Sequence, residues 1–382
     1  MKTFIHLCCI WLFVSFFVVA LCNDYAVCHG PSYYSKEFFV ILKADGERFE
    51  TLFSSIQQAI NEAENNSTIL VPSGVFYENV IVNKSISLVG NSNFSSIIDG
   101  GNIGTVLEIT VSNVAVRGFR LQNSGYGWTR HGIYVNQAEN CTIDNNYFLN
   151  DCHNIRLNYS CCSIVKGNII EGVMTQPTMY GVRLENSVNC TVENNYISNC
   201  VGAIHLQNAT NCVVLKNTVV KNSQGIRFYT PCIHNMVFAN DFVDNSYDGM
   251  VSTMPDNSTF MGNMVFHNNF VNNSSPFIGT IYGFTWDNGY PSAGNYWSRY
   301  NGADLKSGRF QNETGYDGIG DTSYNVSQEH KDNYPLIHPY GSIVNWNTGS
   351  VFLTITSALA ASETLNGHKI IVKPSVYIEH IN

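Results

Sequence analysis

Five side chains able to do chemistry recur at a regular spacing. Tyr134, Arg156, Arg183, His205 and Arg227 stand at successive separations of 22, 27, 22 and 22 residues. Each is the middle of an apolar-x-apolar triplet: Ile133-Tyr134-Val135, Ile155-Arg156-Leu157, Val182-Arg183-Leu184, Ile204-His205-Leu206 and Ile226-Arg227-Phe228. Guanidinium forks match carboxylates, and a phenol ring offers a flat face to a sugar. Repeated in this way, they suit an extended polyanion such as an acidic polysaccharide. For turnover, Arg156, Arg183 and Arg227 would neutralise a uronate carboxylate while His205 or Tyr134 removes the adjacent proton, as a lyase or epimerase requires. Hydrolysis by paired carboxylates is poorly served, because the series holds only Glu108, well removed.

A second constellation is Asp317-Gly318-Ile319-Gly320-Asp321, with Asp304 upstream and Asp332 downstream. Carboxylates on a Gly-rich loop suit calcium, although the odd-position ligands and closing Glu of an EF-hand are missing. Capping of turns by the same Asp side chains is the alternative. His267, Met261 and Met264 are near in sequence but form no motif, so copper is not indicated. No Cys-x-x-Cys occurs among the twelve cysteines, which argues against zinc.

The elements that position these residues follow from a repeat. Asn146, Asn168, Asn195, Asn217, Asn240 and Asn268 sit in one local frame, as in Val192-Glu193-Asn194-Asn195-Tyr196-Ile197, at separations of 22, 27, 22, 23 and 28 residues. Such periods mean a solenoid. The short alternating apolar runs are strand signals, and no amphipathic run of period 3.6 fits a helical solenoid. Stacked coils about 4.8 Å apart give a parallel β-helix. The middle residue of each triplet then points outward, so the five side chains form one column running from Glu108 to Val251. The repeated Asn sits at a bend, where it tolerates left-handed angles and can build an amide ladder along the axis.

From the start of the chain, residues 1–22 hold Lys2 and an apolar run from Phe4 to Leu21, read as a secretory signal with an uncleaved membrane anchor as the alternative. Val19-Ala20-Leu21-Cys22 is a poor lipidation site. The net charge of −9 disfavours nucleic acid. With 13% charged residues and much Asn, Ser, Gly and Tyr, the composition suits an extracellular β-protein. Phe53 to Ala63 has apolar residues at helical spacing, with Ser54 and Gln57 at capping-box distance. A helix there would cover the open end of the solenoid.

The opening Thr68-Ile69-Leu70-Val71-Pro72-Ser73-Gly74-Val75-Phe76-Tyr77-Glu78 resembles the start of the pectin-lyase-like superfamily. Further on come Trp286-Asp287-Asn288-Gly289-Tyr290-Pro291, Gly294-Asn295-Tyr296-Trp297, Asp317 to Asp321 and Asp332-Asn333-Tyr334-Pro335-Leu336, in that order. This set resembles NosD-like β-helix proteins, also described as carbohydrate-binding and sugar-hydrolase repeats. The resemblance implies a right-handed β-helix closed by residues 276–341, and a surface protein. Arg299, where relatives often carry an acidic residue, and the longer segment from Lys306 to Tyr316 put a metal site copied from relatives in doubt. The copper role tied to the NosD name is implied by the resemblance alone.

The tail repeats the opening. Ile355, Ala358 and Leu359 match Ile56, Ala59 and Ile60; Ile370-Ile371-Val372 matches Ile69-Leu70-Val71; and Val376-Tyr377-Ile378-Glu379 matches Val75-Phe76-Tyr77-Glu78. Residues 342–382 therefore read as the start of a second, truncated β-helix. Cys141, Cys190 and Cys212 fall two residues before the anchoring apolar residue of their coils, which places them inside as a column of small core residues. A Cys190–Cys212 disulfide is the alternative. Glycosylation sequons include Asn83, Asn158, Asn208 and Asn325.

The expected architecture is thus all-β. It has a lead-in at 23–48, a right-handed single-stranded parallel β-helix at 49–275 behind an N-terminal capping helix, and an irregular C-terminal cap at 276–341. The expected function is glycan binding at the cell surface or in secreted form through the outward column. A polysaccharide lyase or epimerase is one alternative; a structural scaffold or a NosD-like copper-related periplasmic protein is the other.

Overall fold

The computed structural model describes residues 37–42, 48–172, 179–229, 231–253, 260–279, 283–328, 330–377, 379 and 381. The expected signal or anchor at 1–22 lies outside these residues, as does Ile378 of the tail match.

Three sheets run along one axis. The first has ten parallel strands from Thr68–Leu70 to Phe284–Thr285, and the second has ten from Gly74–Tyr77 to Tyr296–Trp297. The third has nine, from Val80–Val82 to Ser275–Ile278. Each coil contributes one strand to each sheet, so the chain winds a three-sided parallel β-helix of nine full coils. Bulky apolar side chains fill the interior in register. Ile133, Ile155, Val182, Ile204 and Ile226 are partnered coil to coil in the third sheet, and none is exposed. Alternation of side chains along each strand leaves the intervening residues facing out.

The asparagine ladder is present and longer than six. Nδ2 of Asn146 donates to Oδ1 of Asn168 at 3.2 Å, and the chain continues through Asn195, Asn217, Asn240 and Asn268 to Asn295 at 2.9–3.0 Å. Each oxygen also accepts the backbone N–H of the ladder residue below it, as Asn217 does from Asn195 at 3.0 Å. These buried amides are thus fully engaged, which is the condition for holding polar groups in a dry core. The left-handed backbone, however, lies one residue earlier than expected. Positive φ occurs at Asn145, Gly167, Asn194, Lys216, Ala239 and His267. Side-chain type varies at that position, so the ladder itself, and not the backbone angle, demands Asn.

Two shorter ladders flank it: Asn222–Asn245–Asn273, with links of 3.2 and 2.8 Å, and Asn235–Asn263 at 2.9 Å. Cys212 and Cys200 precede them in the same columns, their backbone N–H groups donating to Asn235 and Asn222. Cys141, Cys190 and Cys212 are buried, as the interior column requires, and their thiols are free.

At the N-terminal end, an antiparallel hairpin of Glu37–Leu42 and Arg48–Phe53 pairs with Thr68–Leu70. A helix over Ile56–Glu62 sinks Ile56, Ala59 and Ile60 into the core. Its N-cap is Ser55, whose hydroxyl accepts from Gln58 N–H at 3.0 Å, one residue later than the expected Ser54–Gln57 box. At the other end Trp297 stacks on Phe270, with ring centres 4.5 Å apart. Asp332 terminates the long ladder. Its Oδ2 accepts from Asn295 N at 2.7 Å and from Trp297 Nε1 at 2.8 Å. The Gly-Asn-Tyr-Trp and Asp-Asn-Tyr-Pro motifs therefore meet, joining the last coil to the segment that follows it.

Candidate functional site

Strand pairing in the third sheet aligns Glu108, Tyr134, Arg156, Arg183, His205, Arg227 and Val251 in a single column. Two further columns flank it. Three residues earlier in each strand stand His131, His153, Tyr180, Gly202, Gln224 and Asp248; two residues later stand Asn136, Asn158, Glu185, Gln207, Tyr229 and Thr253. The position after each of His131, Tyr180, Gly202, Gln224 and Asp248 is Gly or Ala, whereas after His153 stands Asn154, which donates Nδ2 to Tyr180 O at 3.1 Å. A Cβ at Gly181 would lie 2.5 Å from the Ala203 carbonyl oxygen and 2.6 Å from Ile197 Cγ2.

The arginines are held rather than free. Nη2 of Arg156 lies 2.6 Å from Glu185 Oε2, and Nη2 of Arg183 lies 3.1 Å from the same oxygen. Arg183 also donates to Gln207 Oε1 at 2.6 Å, and Arg227 Nε to Thr253 Oγ1 at 3.2 Å. Each guanidinium lies over a ring: Arg156 over Tyr134 at 5.4 Å, Arg183 over Tyr180 at 5.5 Å and Arg227 over Tyr229 at 5.3 Å. Glu108 joins through Asn136, whose Nδ2 donates to it at 3.3 Å.

A run of rings climbs the face. His131–His153, His153–Tyr180 and Tyr180–His205 have centre separations of 5.4, 5.5 and 4.6 Å. Trp128, 63% exposed, sits 5.8 Å from His153. The outward direction expected of His205 holds, but its exposure does not: only 3% remains, because Tyr180 and Tyr229 from the adjoining coils cover it. Val251 is buried too. Burial, then the charges of Arg183 and Arg227, hold the His205 imidazole well below its ordinary value. Burial likewise lowers His153 to about 4 and His131 to about 2, assisted by neighbouring positive charge. All three rings are neutral at neutral pH, and among the described residues neither nitrogen of His205 or His153 has a hydrogen-bond partner. An imidazole so depressed is a weak proton acceptor.

Sequence reasoning missed Glu185, His131, His153, Tyr180, Tyr229 and Trp128. The flanking columns carry a readable signal, since each lies at a fixed offset from the middle residue of its triplet. The triplet alone gives no reason to look there.

The four candidate calcium ligands divide. Asp304 accepts from Asp317 N at 3.2 Å and Gly318 N at 2.9 Å, Asp317 accepts from Gln311 Nε2 and Ile319 N, and Asp321 accepts from Leu305 N and Lys306 N. Asp332 stands apart at the ladder end. Among the described residues no group of three or more His, Cys, Asp or Glu side chains is placed to hold a metal ion.

The family described as "Periplasmic copper-binding protein (NosD)" matches residues 60–302. A cell surface glycoprotein of Methanothermus fervidus is 34% identical over 101 residues, 26% of this chain and 16% of that protein, so the match spans about a sixth of the relative. A polygalacturonase from Erwinia carotovora superposes with a TM-score of 0.50 at 15% identity, covering 69% of this chain and 84% of that one. At that identity the likeness concerns the fold. Copper favours converging His, Met or thiolate donors. Here the histidines of the face contact rings, and Cys141, Cys190 and Cys212 are enclosed in the core. The described residues do not fit a copper centre. The match over 60–302 and the coiled three-sheet architecture together place this chain in the NosD family of parallel β-helix proteins.

Proposed function

We propose that the outer face of the third sheet binds an acidic polysaccharide without turnover, in a protein displayed at the cell surface or secreted. The carrying observation is the axial column of Arg156, Arg183 and Arg227, each preset over an aromatic ring. Preset guanidiniums lose little side-chain freedom on meeting a carboxylate. The coil spacing repeats the charge along a direction in which a polymer can lie. Trp128, 63% exposed, adds a ring face for sugar stacking. The surface location is supported by the name of the Methanothermus fervidus relative, and the exposed sequons at Asn83, Asn208 and Asn325 are compatible with it.

Binding is favoured over lyase or epimerase chemistry by the state of His205. A general base acts best with a proton affinity near the working pH, whereas this ring is covered and strongly depressed. Asp304, Asp317 and Asp321 serve as turn caps, each carboxylate accepting backbone N–H.

The test is retention of the purified protein on immobilised uronate-containing and neutral glycans, with and without calcium, while soluble product is followed in the ultraviolet. Salt-sensitive retention on the acidic glycan, lost in Arg183→Ala, supports the reading. Unsaturated product would replace it with a lyase. Equal behaviour of acidic and neutral glycans would leave a scaffold.

A further inference from the structure

The tail does more than echo the opening in sequence. In the N-terminal region a hairpin precedes the helix, and strand Thr68–Leu70 then returns antiparallel to the hairpin's first strand. In the tail, Ile343–Asn345 and Val351–Phe352 form a hairpin, Ile355–Ala360 forms a helix, and Ile370–Val372 returns antiparallel to Ile343–Asn345. The order of strands across the sheet is the same in both.

The caps agree as well. Ser55 accepts from Gln58 N–H and Thr354 from Ser357 N–H, each at 3.0 Å, and both helices end on an alanine in extended conformation. The two oxygens of Glu78 accept from Ile56 N at 2.7 Å and Gln57 N at 3.0 Å. Those of Glu379 accept from Ile355 N and Thr356 N, both at 2.8 Å. A carboxylate reaching back across more than twenty residues to the same two helix positions is not something a chance amphipathic helix would reproduce.

The copies differ in what covers them. In the first, Ser87–Val89 pairs with the free edge of Thr68–Leu70, and the helix packs against Val80–Val82. Ile60 is then fully buried and Val71 is 4% exposed. In the second, no strand among the described residues pairs with the far edge of Ile370–Val372, and the matching Leu359 and Val372 are 48% and 39% exposed. An open strand edge beside exposed apolar side chains is a surface made for strand addition.

We propose that residues 342–381 form a second solenoid-starting module, and that the bare edge of Ile370–Val372 with the Leu359 side of its helix docks the leading coil of a further parallel β-helix. The occupant is fixed by the first copy. There the equivalent edge takes the parallel strand Ser87–Val89, which buries Leu88, and the preceding strand Val80–Val82 packs against the helix.

The proposal requires the tail to be able to start a solenoid. In the full chain, residues 37–71 are replaced by a copy of 343–372, joined at Pro72, and hydrogen exchange is followed at Ser87–Val89. Retained protection with cooperative unfolding is expected, whereas a chain simply lacking 37–71 should lose both. If the exchanged chain fails to fold, the second experiment decides. Residues 72–111 are copied onto the full chain after Val372, and exchange is compared with the parent at Ile370 and Val372, the amides on the edge where Val71 N of the first copy donates to Val89 O at 2.8 Å. Roughly ten-fold slower exchange supports docking of a coil. Unchanged exchange, with the appended residues unprotected, overturns the proposal.

Discussion

Glu185 Oε2 sits between two guanidiniums of neighbouring coils, 2.6 Å from Arg156 Nη2 and 3.1 Å from Arg183 Nη2. The side chains of all three are 13–18% exposed, so solvent screens them incompletely. The carboxylate holds two like charges together on a face that has three arginines in line. It also occupies the position that a uronate carboxylate would otherwise seek.

Glu185→Gln should therefore act in two directions. Removing the shared anion leaves Arg156 and Arg183 in mutual repulsion, costing roughly 1–3 kcal/mol in denaturant unfolding. The freed guanidiniums should strengthen salt-sensitive retention on an acidic glycan. Weaker retention by a folded variant would mean that the carboxylate organises the site rather than competing with its ligand.

The long ladder makes a sharper stability prediction. Asn217 accepts from Asn195 N and Nδ2 at 3.0 and 2.9 Å, and donates to Asn240 Oδ1 at 2.9 Å. Asn217→Ala orphans the buried Asn195 N–H and breaks the ladder on both sides, while Asn195 Nδ2 keeps Val165 O and Glu193 O, and should cost about 1–3 kcal/mol. Asn194→Ala, at the left-handed position before the adjoining ladder residue, keeps every ladder bond and should cost less. Chemical denaturation of the two variants against the parent checks the order.

His205→Phe should stabilise the fold by about 1 kcal/mol, since a ring is kept and two unpartnered buried nitrogens are removed. Loss of glycan retention in this variant, with stability raised, would show that the imidazole meets the ligand.

Two kinds of buried group give opposite pH dependences. Burial raises Asp151 to about 7. The native state binds that proton more tightly than the unfolded chain, so the contribution is fully present below the ordinary carboxyl value near 4 and is lost as pH rises through about 7. Asp151→Asn should match the parent at pH 4 and gain relative to it by pH 8. His153 is lowered to about 4, so the unfolded chain takes up a proton first. Its contribution is present above about 6.5 and is lost as pH falls toward 4. His153→Phe should lose less stability than the parent over that interval. Thermal unfolding across pH 4–8 tests both signs.

The period of the asparagines and the apolar triplets were enough to specify coils, their interior and the column from Tyr134 to Arg227. A strand has a side-chain period of two, and a coil repeat fixes which residues stack, so alignment follows from counting. Further ladders were also written in the text as Asn spaced by five: Asn235, Asn240 and Asn245, then Asn263, Asn268 and Asn273. The match of the tail to the opening was visible in residue types, but the paired Glu78 and Glu379 contacts were not, because they span 22 and 24 residues.

Exposure and charge partnership belonged to the tertiary structure. Arg156 and His205 hold the same place in their triplets, yet one guanidinium reaches Glu185 and the other ring is covered by Tyr180 and Tyr229. Asp332 shares a sequence motif with its neighbours but ends the ladder because Asn295 and Trp297 arrive beside it. The sequence by itself determined which residues share a coil position, since that depends on local periodicity. What each one touches was decided only by side chains arriving from the coils above and below, whose lengths and rotamers no single-coil pattern contains.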